Sequence, residues 1–215
     1  MKTALTLLLA LSAVGFAARA QDITGDAARG AKLNASCVGC HGIPGYQASF
    51  PEVYRVPAIS GQNAKYIVAA LDAYKRGERK HPTMHAVAMS LSEQDIADLA
   101  AYYTAHGGPA TAAAVPAPPA DVAALLTKGA CASCHGEQFN KPIDGSYPKI
   151  AGQYPDYLFA ALKSYKVEGN RNVGRGNAIM SAQVKQFSNQ ELKAIAKYLG
   201  SLPPDVHTVA QSRFR

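Results

Sequence analysis

Apolar residues recur at helical spacing along this chain, separated by polar, glycine- and proline-rich segments, and nothing alternates with strand period for long. Over residues 63–76, Tyr66, Ile67, Ala70, Leu71 and Tyr74 share one helical face, and Gly77 supplies a stop. Ser92-Glu-Gln-Asp95 and Ser188-Asn-Gln-Glu191 read as capping boxes, in which the serine and the acidic residue satisfy each other's backbone amides. Behind them Ile96, Leu99, Ala100 and Tyr103, and then Leu192, Ile195, Ala196 and Leu199, predict buried stripes on helices over 92–105 and 188–199. Two more helices are predicted around residues 26–36 and 121–130, each running into a cysteine motif. The pattern is all-α.

The helical stretches come in two sets. Cys37-X-X-Cys-His-Gly matches Cys131-X-X-Cys-His-Gly, and Pro57-X-Ile-Ser-Gly-Gln matches Pro148-X-Ile-Ala-Gly-Gln. Tyr66, Leu71 and Tyr74 match Tyr157, Leu162 and Tyr165; Met84 matches Met180; Leu91-Ser92 matches Phe187-Ser188; Tyr102 matches Tyr198. The offset drifts from 94 to 91 to 96, so length changes fall in loops. This is a duplication into a first domain over 21–107 and a second over 121–202, each able to form a small domain. Residues 108–120, rich in alanine and proline with no apolar face, read as an extended linker, and 203–215 as a tail.

The first twenty residues belong to neither set. A cationic start, an apolar run over 4–18 and Ala18-Arg19-Ala20 describe a cleavable secretory signal peptide. The run is short of the ~20 residues that span a bilayer, which argues against the alternative of an uncleaved anchor. The mature chain is then exported, and the expected location is the periplasm. Of the formal charge of +7, Lys2 and Arg19 leave with the leader. The remaining charge is uneven: residues 21–107 are neutral overall, whereas 121–215 carry twelve basic and seven acidic residues. Such a dipole orients a protein at a charged partner or membrane surface. It excludes nucleic acid as a partner, because no basic run is interleaved with aromatics.

The four cysteines all fall in Cys37-Val-Gly-Cys40-His41 and Cys131-Ala-Ser-Cys134-His135. Cys-X-X-Cys-His is the attachment motif of a c-type haem, with the two thiols bonded to the porphyrin and the histidine beneath the iron. Two disulfides are the alternative in an oxidising compartment, but leave the adjacent histidines without a role. A four-cysteine zinc site would need motifs 94 residues apart to converge. A thioredoxin-like pair wants a βαβ setting that the chain does not show. Two covalently attached haem c groups are therefore the expected cofactors.

Each iron then needs a sixth ligand. The second domain has one methionine, Met180, and its histidine outside the motif is His207, beyond the last helix. Met180 lies eight residues before Ser188 and Met84 eight before Ser92, so the repeat selects Met84 over His81, His85 and Met89. The alternative for each methionine is an apolar gap-filler in a loop; His81 and His85 read as exposed loop residues. Pro57 and Pro148 are candidates to orient His41 and His135 through their carbonyls, or to stiffen a turn. Gly42 and Gly136 read as the points where the chain turns from the haem edge.

Taken together these motifs resemble the dihaem cytochrome c4 family, two class I cytochrome c domains joined by a linker, over nearly the whole mature chain. The resemblance implies two His/Met-ligated haems of high potential, His41 with Met84 and His135 with Met180. It also implies domains related by a pseudo-twofold axis with propionate edges near each other. The chain departs from that pattern in a longer loop over 42–55, a longer loop over 168–178 and a long linker. The implied function is a monomeric periplasmic carrier that shuttles electrons between respiratory complexes, from a quinol-oxidising complex to a terminal oxidase. The alternative is the cytochrome subunit of a dehydrogenase for sulfur compounds or alcohols. A haem enzyme such as a peroxidase is disfavoured, because both halves match at their ligand positions and the second offers no spare distal histidine.

Overall fold

Asp26, whose carboxylate accepts the amides of Ala28 and Arg29, starts α1 (Ala27–Leu33). The single helix expected here is broken at buried Asn34, and α2 (Ala35–His41) carries the first cysteine motif. A hairpin of β1 (Gln47–Ala48) and β2 (Tyr54–Arg55) precedes α3 (Ala64–Lys75). Gly77, at φ +70°, ends that helix in the left-handed region that favours glycine. Then come β3 (Arg79–Lys80), α4 (Pro82–Met89) and α5 (Glu93–Ala105). The second half repeats the order without the hairpin: α6 (Ala120–Lys128), α7 (Cys131–His135), α8 (Pro155–Ser164), β4 (Gly174–Arg175), α9 (Ala178–Lys185) and α10 (Asn189–Ser201). The computed structural model describes residues 23–108 and 113–210. The predicted signal peptide lies outside them.

The fold is all-α, with strands two residues long that no alternation could announce. Both capping boxes form: Ser92 with Asp95 heads α5, and Ser188 with Glu191 heads α10. Each predicted stripe is buried, from Ile96 to Tyr103 and from Leu192 to Leu199. Leu192 is fully enclosed, and burying a leucine side chain stabilises by about 1.5–3 kcal/mol. Around it Val122 and Leu126 of α6 and Leu158 of α8 complete the second core, while Ile67 of α3 meets Leu99, Ala100 and Tyr103 in the first.

Met84 and Met180 were expected in loops, but sit in the short helices α4 and α9. Eight residues are too few to show a clear period. The cues are at the ends, where His81 and Asn177 accept the amides of Met84 and Met180, and where Pro82 starts α4. His81 is therefore a half-buried helix cap rather than an exposed loop residue; His85 is exposed, and its ring nitrogen bonds the Tyr74 carbonyl.

The two long loops join the halves. β3 pairs antiparallel with β4, and the Gly176 amide donates to the Glu78 carbonyl at 2.7 Å. From the hairpin, Arg55 donates to Asp156 through its backbone at 2.9 Å and its guanidinium at 3.1 Å, and Glu52 pairs with Lys163. The tail also crosses over: His207 and Ser60 exchange backbone hydrogen bonds at 2.8 and 3.1 Å, with Val206 buried beside them.

Burial alone raises the Asp156 pKa, but the side-chain and backbone bonds from Arg55 outweigh it and hold the carboxyl below its usual value. A depressed acid stabilises the fold above its unfolded pKa, near 4, and loses that contribution as pH falls through its folded value. Both side chains are about a third exposed, so the pair is worth only about 0.5–1 kcal/mol. Asp156→Asn should cost that much at pH 7 and nothing at pH 2, read from denaturant unfolding at both pH values. An equal loss at both would rule the ion pair out.

Candidate haem sites

α2 ends on His41 and α7 on His135, so each motif presents its histidine at a helix C-terminus. His41 Nδ1 lies 2.8 Å from the Pro57 carbonyl, and His135 Nδ1 lies 3.0 Å from that of Pro148. A carbonyl only accepts, so Nδ1–H donates and Nε2 keeps its lone pair for a metal. Burial lowers both imidazole pKa values, partly offset by the proline bonds, and keeps the rings neutral.

His41, Met84, His135 and Met180 all line one continuous cavity of about 400 Å³ that runs across both halves. Cys37 and Cys40 open onto it as well. None of the four cysteines is tied up in a disulfide, and burial pushes the Cys37 and Cys131 thiols up. Among the described residues no three His, Cys, Asp or Glu side chains gather as a metal cluster, so the two motifs do not converge on a zinc site. Apolar walls, paired thiols and imidazoles with a free Nε2 fit haem c. Gly136, at φ +81°, turns the chain after the second motif and lies against the Lys141 carbonyl; Gly42 has an ordinary φ of −98°.

Two residues of the site escaped the sequence reading, although the repeat marked them. Gln62 and Gln153 close the Pro-X-Ile-X-Gly-Gln segments. Each crosses to the other half and bonds both backbone groups of the residue after the other proline. Gln153 accepts the Ala58 amide at 3.0 Å and donates to its carbonyl at 2.8 Å. Gln62 treats Lys149 in the same way, at 2.9 Å for both bonds. The residue next to each histidine-holding proline is thus clipped by the opposite half. Gln153→Ala strands two backbone groups of buried Ala58. Thermal unfolding of the holoprotein should show a loss of about 2 kcal/mol or more, since each orphaned buried group costs about 1–3 kcal/mol. A loss below about 0.5 kcal/mol would mean that water replaces the clip.

A family model for cytochrome c matches residues 27–104 and again 119–203. Cytochrome c4 of Azotobacter vinelandii is 31% identical over 94% of this chain and 99% of its own length. The solved structure of Acidithiobacillus ferrooxidans cytochrome c4 superposes with a TM-score of 0.61 at 29% identity, covering 79% of this chain and 99% of that one. The thiosulfate dehydrogenase electron acceptor of Stutzerimonas stutzeri is 28% identical over 78% of this chain and 79% of its own. Two cysteine-bearing halves of one cytochrome c fold, matched end to end by such relatives, settle the family: the chain belongs to the dihaem cytochrome c4 family and carries two covalent haem c groups, on Cys37 and Cys40 and on Cys131 and Cys134.

Proposed function

We propose that this dihaem electron-transfer protein works in the periplasm as a carrier, with His41 and Met84 as the axial ligands of one haem and His135 and Met180 as those of the other. The observation that carries the reading is the matched pair of sites. In each half a histidine donates Nδ1–H to a proline carbonyl, and a methionine from a capped short helix faces the same cavity. Bound haem supplies a one-electron iron couple at each site. The proline carbonyls fix the imidazole orientation and raise its basicity as a ligand. The methionine thioethers, soft donors, favour the reduced metal and a high potential. The apolar walls keep water away, so that small molecules are not turned over. Pro57 and Pro148 act through the histidines rather than on the metal.

The oxidised holoprotein should show the weak near-infrared charge-transfer band of methionine-ligated ferric haem, at an intensity corresponding to both haems. A band missing from both would remove the ligand assignment. For the acceptor we favour a terminal oxidase. Likeness to a relative named for accepting electrons from thiosulfate dehydrogenase supports a second reading, in which the donor is a periplasmic dehydrogenase. Stopped-flow reduction by such an enzyme, against oxidation by membrane-bound oxidase, separates the two: the physiological partner reacts in milliseconds and with a salt-dependent rate.

A further inference from the structure

The repeat that matches the two haem sites breaks at one buried position. Tyr103 of α5 stands where Leu199 stands in α10, each eleven residues after its capping-box serine, Ser92 or Ser188. Both side chains are buried, and both line the cavity. Cys131 packs against the core that holds Leu199, and Cys37 against the core that holds Tyr103. Leucine fills its place with methyl groups alone. Tyrosine brings a hydroxyl into the first site that the second does not have.

That hydroxyl has no hydrogen-bond partner, and among the described residues it is the one buried side-chain hydroxyl left so. Solvent does not reach it, since Tyr103 is only 4% exposed. Burial pushes the phenol pKa up and keeps its proton in place, and a buried donor left unpaired costs stability. Cys37 lies beside it: burial raises that thiol, while the hydroxyls of Ser36 and Tyr103 hold it back in part. Attachment changes what this sulfur can do. The thiol adds across a vinyl group, so that an S–C bond forms, the thiol proton passes to the other vinyl carbon, and no electron is gained or lost. The resulting thioether has no proton and only accepts, whereas the phenol has one to give.

We propose that Tyr103 tunes the potential of the first haem alone, by donating its hydroxyl proton to the Cys37 sulfur once that sulfur is a thioether. The proposal rests on haem attachment at Cys37 and Cys40, and is independent of which residue supplies the sixth ligand. The positive end of the O–H dipole is then directed at the thioether link, where it favours the reduced state of that haem. Leu199 offers the second haem nothing of the kind. Two sites matched in motif, proline and methionine are thereby made unequal, which gives an electron a preferred side. Tyr103 acts through the cysteine rather than on the iron.

The test compares the holoprotein with Tyr103→Phe, which removes the hydroxyl and keeps the ring, and with Tyr198→Phe, which removes a hydroxyl that donates to the Pro116 carbonyl instead. Redox titration followed by proton NMR reads the haems separately, their methyl resonances being assigned through contacts with residue 103 or with Leu199. Tyr103→Phe should shift the equilibrium of the first haem about threefold toward the oxidised state, or about 28 mV at ~59 mV per tenfold, and leave the second in place. Tyr198→Phe should move neither. In the reduced protein the Tyr103 hydroxyl proton should exchange slowly with solvent, and its resonance should be missing from Tyr103→Phe. An unmoved first potential overturns the proposal, even where thermal unfolding shows a less stable variant, because Tyr103 then only packs. Equal shifts of both potentials overturn it as well, by showing a loosened fold, and a rapidly exchanging hydroxyl proton would put water in place of the sulfur. Haem content by pyridine haemochrome absorbance checks attachment separately. Fewer than two haems in the unsubstituted protein overturns the attachment on which the proposal rests, whereas two haems with an unmoved potential overturns Tyr103 alone.

Discussion

Met180→Ala should halve the near-infrared ferric band and lower the potential of one haem while leaving the other near its original value. Met180 is the only methionine of the second half, is half-buried, and packs against the second core from α9. Its amide is capped by Asn177 at 2.9 Å, which fixes where the helix starts and so where the side chain begins. No other soft donor lies on that helix, so if Met180 is the ligand proposed above, its removal should leave water or nothing at the sixth position. Loss of the thioether should lower that potential by roughly 0.1 V or more, within the ~0.8 V that axial ligands span. The neighbouring Ile179 is 52% exposed, so Ile179→Ala controls for truncation on the same helix and should leave band and potentials alone. If Met180→Ala keeps the full band, the ligand of the second haem is another residue.

The second large effect concerns the crossing of α1 on α5. Gly30 is buried there, and a Cβ added to it would lie 2.1 Å from the Asp98 carbonyl oxygen and 2.7 Å from Tyr102 Cβ. Neither neighbour is the tip of a flexible side chain, so the helices themselves would have to separate. Their separation would break the ties around the buried Asp98 carboxylate. It accepts the Asp26 amide at 2.7 Å and the Gln94 side chain at 2.8 Å, and forms an ion pair with Arg29 at 3.1 Å. Gly30→Ala should therefore cost about 3 kcal/mol or more, at the upper end of what overpacking does, although alanine is the better helix former. Denaturant unfolding of the holoprotein measures it; a loss under about 1 kcal/mol would show that the crossing relaxes. The second half packs α6 on α10 through Val122 and Leu126 instead, so the same argument makes no demand for glycine there.

What could be read in advance follows the range of each interaction. The capping boxes, the stop at Gly77 and the buried stripes are decided within one or two helical turns, and all appear in the structure. The cysteine motifs are equally local. Pro57 and Pro148 became candidates only because the duplication repeats them, and each carbonyl does meet its histidine. Met84 was picked from a crowded segment on the same ground, though its helical setting was missed. Eight-residue α4 is specified by its cap and by packing rather than by a period.

The contacts between the halves had no such signal. Gln62 and Gln153 stood in the repeat, but nothing nearby in sequence says that an amide reaches a backbone 87 or 95 residues away. The two loops that looked like departures from the repeat turned out to supply the hairpin at Arg55 and the strand at Arg175 that fasten one half to the other. By itself the sequence determined two helical units, their covalent haem chemistry and one candidate ligand pair for each, because those depend on spacing along the chain. Only the tertiary structure decided that the sites open into one cavity, that each glutamine serves the opposite half and that two arginines stand face to face. These depend on a docking of distant surfaces, which leaves no periodicity to read.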